Sequence, residues 1–257
     1  MTKEYIDFIY KIKLKFGIDL HLYKEAQMKR RITSLKNKRG FSDFTSYYKA
    51  LTSEDLLLKE FMDRLTINVS EFYRNPKRWD VLKASIFPLL MKQNRKLTIW
   101  SAACSSGEEP YSLAIMISEH FPKIAIEIIA TDIDDNALHK AKQGVYQKQA
   151  LKELPSSMKQ KYFTQKQGLY YINDELKQKV TFKKHNLLHD IYPRYIDLIV
   201  CRNVLIYFTD EAKELIYQNF SNSLHKHGVL FVGSTEQIFN ANHHRLNLID
   251  TFFYQKI

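Results

Sequence analysis

From residue 97 onward, short runs of β-branched and apolar residues alternate with helical stretches. LTIWSA (97–102) leads through CSSGEEP into the helical YSLAIMISEHF. IEIIATDID (126–134) leads into DNALHKAKQG. After a mixed region over 145–185, IDLIVCRNVLIYF (196–208) reads as another buried strand. TDEAKELIYQNFSNSL then reads as a helix, GVLFVGS as a strand, and RLNLIDTFFYQKI as two strands closing the sheet. Strands with so little alternation belong to a sheet covered on both faces. The pattern predicts a doubly wound, mostly parallel α/β fold. Ligands of such a fold bind at the carboxyl ends of the strands, where strand order reverses.

The first 66 residues carry a different period. Tyr5, Phe8, Ile9 and Ile12, then Leu22, Met28, Ile32 and Leu35, recur at helical spacing. Gly17 and Gly40 punctuate these segments, and Ser42 and Ser53 are the expected N-caps of the next two helices. Asn75-Pro76 is the expected start of a helix running to about residue 92. No run of eighteen apolar residues or leader-like segment is present, so neither a membrane span nor a signal peptide is expected. Cys104 and Cys201 form no C-x-x-C pair. They read as small core residues of a protein in a reducing cytoplasm, with no zinc site. The scattered histidines, His225, His227, His243 and His244 among them, show no metal spacing and are expected at the surface.

Charge separates the two parts. Residues 1–100 carry a net +10 of the total +11, and residues 11–40 alone carry +8. On a helix over 20–39, Met28, Ile32 and Leu35 share one face, while Gln27, Arg30, Arg31, Ser34 and Lys38 project from the other. That basic stripe suits an acidic partner, protein or nucleic acid. By contrast, residues 108–135 carry seven acidic residues and one lysine. The turn after the first strand has one glycine, Gly107, where a dinucleotide fingerprint needs three, and two glutamates follow it. Carboxylates there repel a pyrophosphate and suit a cationic nucleoside such as S-adenosylmethionine (SAM). Asp132, ending the second strand, is placed to accept hydrogen bonds from ribose hydroxyls.

These residues lie in six motifs: INVSEFYR (67–74), WSAACSSGEEPYS (100–112), ATDID (130–134), HNLL (185–188), DLIVCRNVLIYF (197–208) and GVLFVGSTE (228–236). In that order the chain resembles the chemotaxis receptor methyltransferases, the CheR family, over essentially its whole length. The resemblance implies a Rossmann-like SAM-dependent methyltransferase with a small all-helical N-terminal domain and a small inserted β-subdomain. It places the helical domain and linker at 1–75, the catalytic domain at 76–257 and the β-subdomain at about 160–184. It implies SAM as cofactor and assigns its binding to Asn68, Ser70, Arg74, Glu109, Asp132, Asn186, Leu187, Arg202 and Asn203. Arg74 and Tyr207 are assigned to the reacting end, and no metal is implied. Two alternatives stay open here: Arg74 pairs with Glu71, and Tyr207 packs in the core.

The activity implied is methylation of glutamate carboxylates on chemotaxis receptors. The basic stripe (Arg30, Arg31, Lys38) would then face acidic receptor helices, with no nucleic acid and no membrane insertion, and the enzyme is expected to act as a monomer. Two rivals are a nucleic-acid methyltransferase and a non-catalytic SAM-binding docking module. The first needs a proline pair after the fourth strand, where CRNVLIYF stands, and aromatics among the basic residues.

Overall fold

The computed structural model describes residues 2–66, 68, 70–92 and 96–257. Two positions of the 67–74 motif, Ile67 and Val69, lie outside the described residues. The chain divides into two compact units, one of residues 1–68 with 205–216, the other of the remainder.

The first unit is helical. It contains α1 (Lys3–Phe16), α2 (Glu25–Lys38), α3 (Phe44–Ser53) and α4 (Asp55–Leu65), with a 3-10 turn at Leu20–Leu22. Its core is largely aromatic. Phe8 lies 5.1 Å from Phe44, 6.0 Å from Tyr47 and 6.2 Å from Phe61, ring centre to ring centre, and Ile12, Met28, Ile32 and Leu51 fill in around them. Gly17 closes α1 in the left-handed conformation, its N–H on the Lys13 carbonyl. The expected serine caps are not the caps. Asp43 begins α3, its carboxylate accepting from Ser46 N, and Ser42 donates its hydroxyl to Asp43. Ser53 is the last residue of α3, its hydroxyl bonded back to the Lys49 and Ala50 carbonyls, and Glu54 precedes α4. At α3 the ionised Asp43 outcompetes the neighbouring Ser42 hydroxyl for a free N–H group.

The stripe on α2 also differs from its expected form. Arg30, Ser34 and Lys38 are exposed, but Arg31 is half-buried, with Nη1 on the Leu65 carbonyl and its guanidinium 4.9 Å from the Tyr207 ring centre. Lys36 is buried and donates to the Phe41 and Ser42 carbonyls at 2.8 Å. Both cations leave the solvent face because their long stems cover apolar surface while their heads find carbonyls.

In the second unit, α5 (Pro76–Val81), a wide π turn (Leu82–Ile86) and α6 (Phe87–Met91) make one bent helix. Asn75 stands at its N-cap and Pro76 at its first position. The wide turn precedes Pro88, which has no N–H and whose ring would strike the carbonyl four residues back in a regular helix. Then follow β1 (Leu97–Ala102), α7 (Glu108–His120), β2 (Ile126–Asp132), α8 (Asp135–Gln143), β3 (Val145–Gln147), α9 (Ser156–Tyr162), β4 (Phe163–Lys166), β5 (Leu169–Ile172), α10 (Asp174–Lys177), β6 (Val180–Lys184), β7 (Ile196–Cys201), α11 (Asp210–Ser223), β8 (Leu224–Val232), β9 (Leu246–Asp250) and β10 (Phe253–Lys256). The first seven residues of α11 group with the first unit.

The large sheet has the order β6-β2-β1-β7-β8-β10-β9. Its first five strands are parallel, and β10 and β9 are antiparallel additions. Every residue of β7 is buried, as a central two-faced strand requires. The apolar run after β7 does not extend the strand, because Asn203 turns the chain at φ 62°. The small sheet, β3-β5-β4, draws β3 from upstream of residue 160, while β6 pairs with β2 in the large sheet. Gln167 and Gly168, both at positive φ, link β4 to β5 in a two-residue turn of the kind that matches strand twist. Among the described residues no helix is long and apolar enough to cross a membrane.

Replacing Phe61, fully buried against the Phe8 and Tyr47 rings, by Ala should cost about 3–5 kcal/mol in urea unfolding. Leu56→Ala, at an 82 % exposed position, should change the midpoint little.

Candidate active site

Strand order reverses at β1. The chain builds outward through β2 to β6, then returns to lay β7 on the other side. Such a reversal leaves a crevice outside the carboxyl ends of the strands. Register fixes what borders it: Ala102 stands beside Thr131, Asp132 beside Lys184, Ser101 beside Val200, and Cys201 beside Val232. The segments following these residues therefore emerge along one edge.

The turn after β1 is tightly specified. Ala103, Ser105 and Gly107 all have positive φ, at 61°, 50° and 93°. A Cβ on Gly107 would sit 2.9 Å from the Ala141 Cβ, so α8 leaves it no room. Asp132 ties this turn to the next: one carboxylate oxygen accepts from Ser105 N at 2.7 Å, the other from Asp134 N at 3.0 Å. Burial holds its carboxyl above the ordinary range, against the pull of those N–H groups. Asp134 caps α8 by accepting from Asn136 N and Ala137 N, and Asp135 pairs with Lys184.

Beside this turn, Glu109 accepts from the Ser101 hydroxyl at 2.8 Å and faces Arg202 at 3.6 Å. Burial pushes the Glu109 carboxyl up and the Arg202 guanidinium down, and each charge opposes the shift in the other. Arg202 donates through Nη2 to the Arg74 carbonyl at 2.8 Å, which also receives the Trp79 indole N–H at 3.0 Å. Arg74 sits between two residues at positive φ, Tyr73 and Asn75, and its charge reaches both Glu109 and Arg202. Glu71 pairs with Lys152 at 3.0 Å. Ser70 hydrogen-bonds Glu108, whose carboxyl burial also raises. The Ser112 hydroxyl donates to the Glu108 carbonyl and accepts from Tyr73 N, fastening the 70–74 segment to α7.

After β6, Asn186 accepts from Leu188 N through its side-chain oxygen, so its NH₂ is the side-chain end left by that turn. Leu187 is buried beside it, and the His185 ring packs edge-on against Trp100.

The second unit thus holds Ser70, Arg74, Glu109, Asp132, Asn186, Leu187, Arg202 and Asn203. Asn68 and Tyr207 group with the first unit. There Asn68 donates to the Thr66 hydroxyl. Tyr207 is half-buried against Arg31, and its carbonyl accepts from Lys24 N. His244, expected at the surface, is buried against Tyr217, because an imidazole with an aromatic neighbour packs as a core ring. Sequence reasoning missed Glu236, a buried carboxylate that accepts from three backbone N–H groups. Its one signal was an acid three residues after the glycine that follows β8.

The residues present fit SAM. Asp132 meets backbone N–H groups of Ser105, Asp134 and Ile133, and a carboxylate, with about four acceptor positions, keeps capacity for a hydroxyl beyond them. The buried Nε of Arg202 has no hydrogen-bond partner among the described residues. The carboxylates bordering the crevice suit a ligand bearing ammonium and sulfonium groups. Fold and site together define a Rossmann-like SAM-dependent methyltransferase with an all-helical N-terminal domain.

Residues 68–253 match the family described as CheR methyltransferase, SAM binding domain, and residues 3–66 match its all-alpha domain. A chemotaxis protein methyltransferase of Listeria innocua is 46% identical over 257 residues, which cover 100% of this chain and 98% of the relative. One from Borreliella burgdorferi is 35% identical over 253 residues, covering 93% and 89%. The chain belongs to the CheR methyltransferase family. This displaces the nucleic-acid methyltransferase and the non-catalytic module as readings of the chain.

Hydroxyls and cations favour the ionised carboxylates, so ligand binding should release protons from Asp132 and Glu109. Calorimetric SAM affinity should fall as pH is lowered through their raised range, above the ordinary carboxylate values near 4. Without ligand the sign reverses: the folded protein holds these protons more tightly than the unfolded chain, so stability from these groups is lost as pH rises. An affinity that stayed flat as pH was lowered through the whole carboxylate range would remove both groups from the site.

Proposed function

We propose that this methyltransferase acts on glutamate side chains of chemotaxis receptors in the cytoplasm, forming methyl esters, and that it works as a monomer. The observation that carries this reading is family membership across the whole chain, joined to a donor set of carboxylates and one buried arginine at the strand-order reversal. When bound, SAM supplies an electrophilic methyl group on a sulfonium. A receptor glutamate is already ionised near neutral pH, since its ordinary pKa is about 4.3. The chain therefore needs no general base; its residues bind, orient and exclude water.

In this reading Asp132 holds the ribose hydroxyls, Asn186 the adenine edge, and Leu187 the adenine face. Glu109 supplies negative charge toward the donor's cationic groups, with Arg202 and Asn203 completing the cofactor contacts. Asn68 and Ser70 contribute from the linker, as the family motif implies. Arg74 orients the incoming carboxylate, a task suited to a planar guanidinium. Its carbonyl is fixed by two donors, which supports that role. The family resemblance assigns Tyr207 to the reacting end. Recognition of acidic receptor helices falls to Arg30 and Lys38, with Arg31 supporting α2 from its half-buried position.

Receptor-bearing membranes incubated with labelled SAM should gain base-labile methyl esters, and label confined to base-stable products would overturn the reading. Asp132→Ala should raise the SAM dissociation constant about 10–100-fold, the worth of one charge-assisted hydrogen bond. Charge reversal at Arg30 and Lys38 should slow receptor methylation and flatten its salt dependence, without changing SAM affinity. Unchanged methylation would remove the stripe from recognition.

A further inference from the structure

The turns that follow β7 and β8 run side by side, because Cys201 stands beside Val232 in the sheet. The first delivers Arg202 and Asn203, and it does so in an unusual conformation, with Asn203 at φ 62°. Asparagine tolerates the left-handed region better than most residues, but the conformation still needs support. The second turn provides it. One oxygen of the Glu236 carboxylate accepts from Asn203 N at 2.7 Å and from Gly233 N at 2.7 Å; the other accepts from Val204 N at 2.8 Å. Glu236 is only 4 % exposed. A buried carboxylate is costly unless its charge is met by donors, and here three backbone N–H groups converge on it. The fit is close enough to dictate a neighbour. A Cβ at Gly233 would lie 2.3 Å from the Glu236 Oε2 and 2.8 Å from Asn203 N.

We infer that Glu236 is a positioning residue, which sets the backbone conformation in which Arg202 and Asn203 meet the cofactor. It touches the turn and acts on the donor through it. This rests on the reading of Arg202 and Asn203 as cofactor contacts. Glu236→Gln keeps the shape but replaces one acceptor oxygen with an NH₂ that opposes backbone donors. Gly233→Ala drives a methyl group into the same junction from the other side. Neither variant changes a residue proposed to contact the donor.

The experiment is a double-mutant cycle on SAM affinity, with folding of each variant checked by circular dichroism and amide exchange read at Asn203 and Val204. Glu236→Gln should raise the SAM dissociation constant at least tenfold and speed exchange at those two amides. Gly233→Ala should do the same, which keeps the test alive if Glu236→Gln folds poorly. In an Asn203→Ala background, Glu236→Gln should add less than about a threefold further loss. Fully multiplicative losses, or normal affinity in both turn variants, would overturn the inference and leave the cofactor contacts standing. Normal SAM affinity in Asn203→Ala itself would overturn the contact reading, and the inference with it.

Discussion

A parallel sheet covered on both faces has no solvent along its strands, so polar chemistry is confined to their ends. In this chain the confinement is severe. The inner strands β1 and β7 are buried along nearly their whole length, while Ser105, Glu109, Asp132, Arg202 and Glu236 all lie at or just beyond a carboxyl edge. Because β1 is where the order reverses, the turns on either side of it separate. The backbone then has to close each turn sharply. The positive φ angles at Ala103, Ser105, Gly107 and Asn203 mark where it does so.

Once turns are forced into such shapes, side-chain carboxylates become the cheapest way to hold them. Asp132 spans the turns after β1 and β2, and Asp134 caps the helix that follows. Each trades a desolvation cost for charge-assisted hydrogen bonds to backbone N–H groups that would otherwise be unpaired. The same groups give the crevice its sign. Arg202, packed 4.9 Å from the Phe231 ring centre, is the counter-charge that keeps buried Glu109 from standing alone.

The alternation of strand and helix was legible because periodicity survives in any sequence that must bury a sheet on both sides. The acids after Gly107 and at Asp132 were legible for a related reason: a charged residue at or after the end of a buried apolar strand breaks the pattern and marks the strand's end. Glu236 was not, since an acid in a loop carries no periodic signal and two of its three backbone partners, Asn203 N and Val204 N, are distant in sequence. Ser42 misled because its neighbour Asp43 takes the free N–H group of α3, and Ser53 because α3 runs on through it and its hydroxyl bonds back to the Lys49 and Ala50 carbonyls. Arg31 misled for a different reason. Helical phase assigns it to the polar face, but its length lets it fold back over Tyr207.

The helical unit is not a continuous stretch of chain. Its aromatic core is complete within residues 5–65, yet Lys24 N finds its carbonyl at Tyr207, the Leu22 carbonyl receives Thr209 N, and Tyr23 packs on Phe208. Residue 205 follows residue 68 by more than half the length of the protein. At roughly 5–20 residues per second of synthesis, the ribosome needs on the order of ten seconds to supply that missing edge. The helices can collapse as they emerge, but the segment 20–24 must wait for its partner, and a fragment ending at residue 68 would leave that edge bare for good.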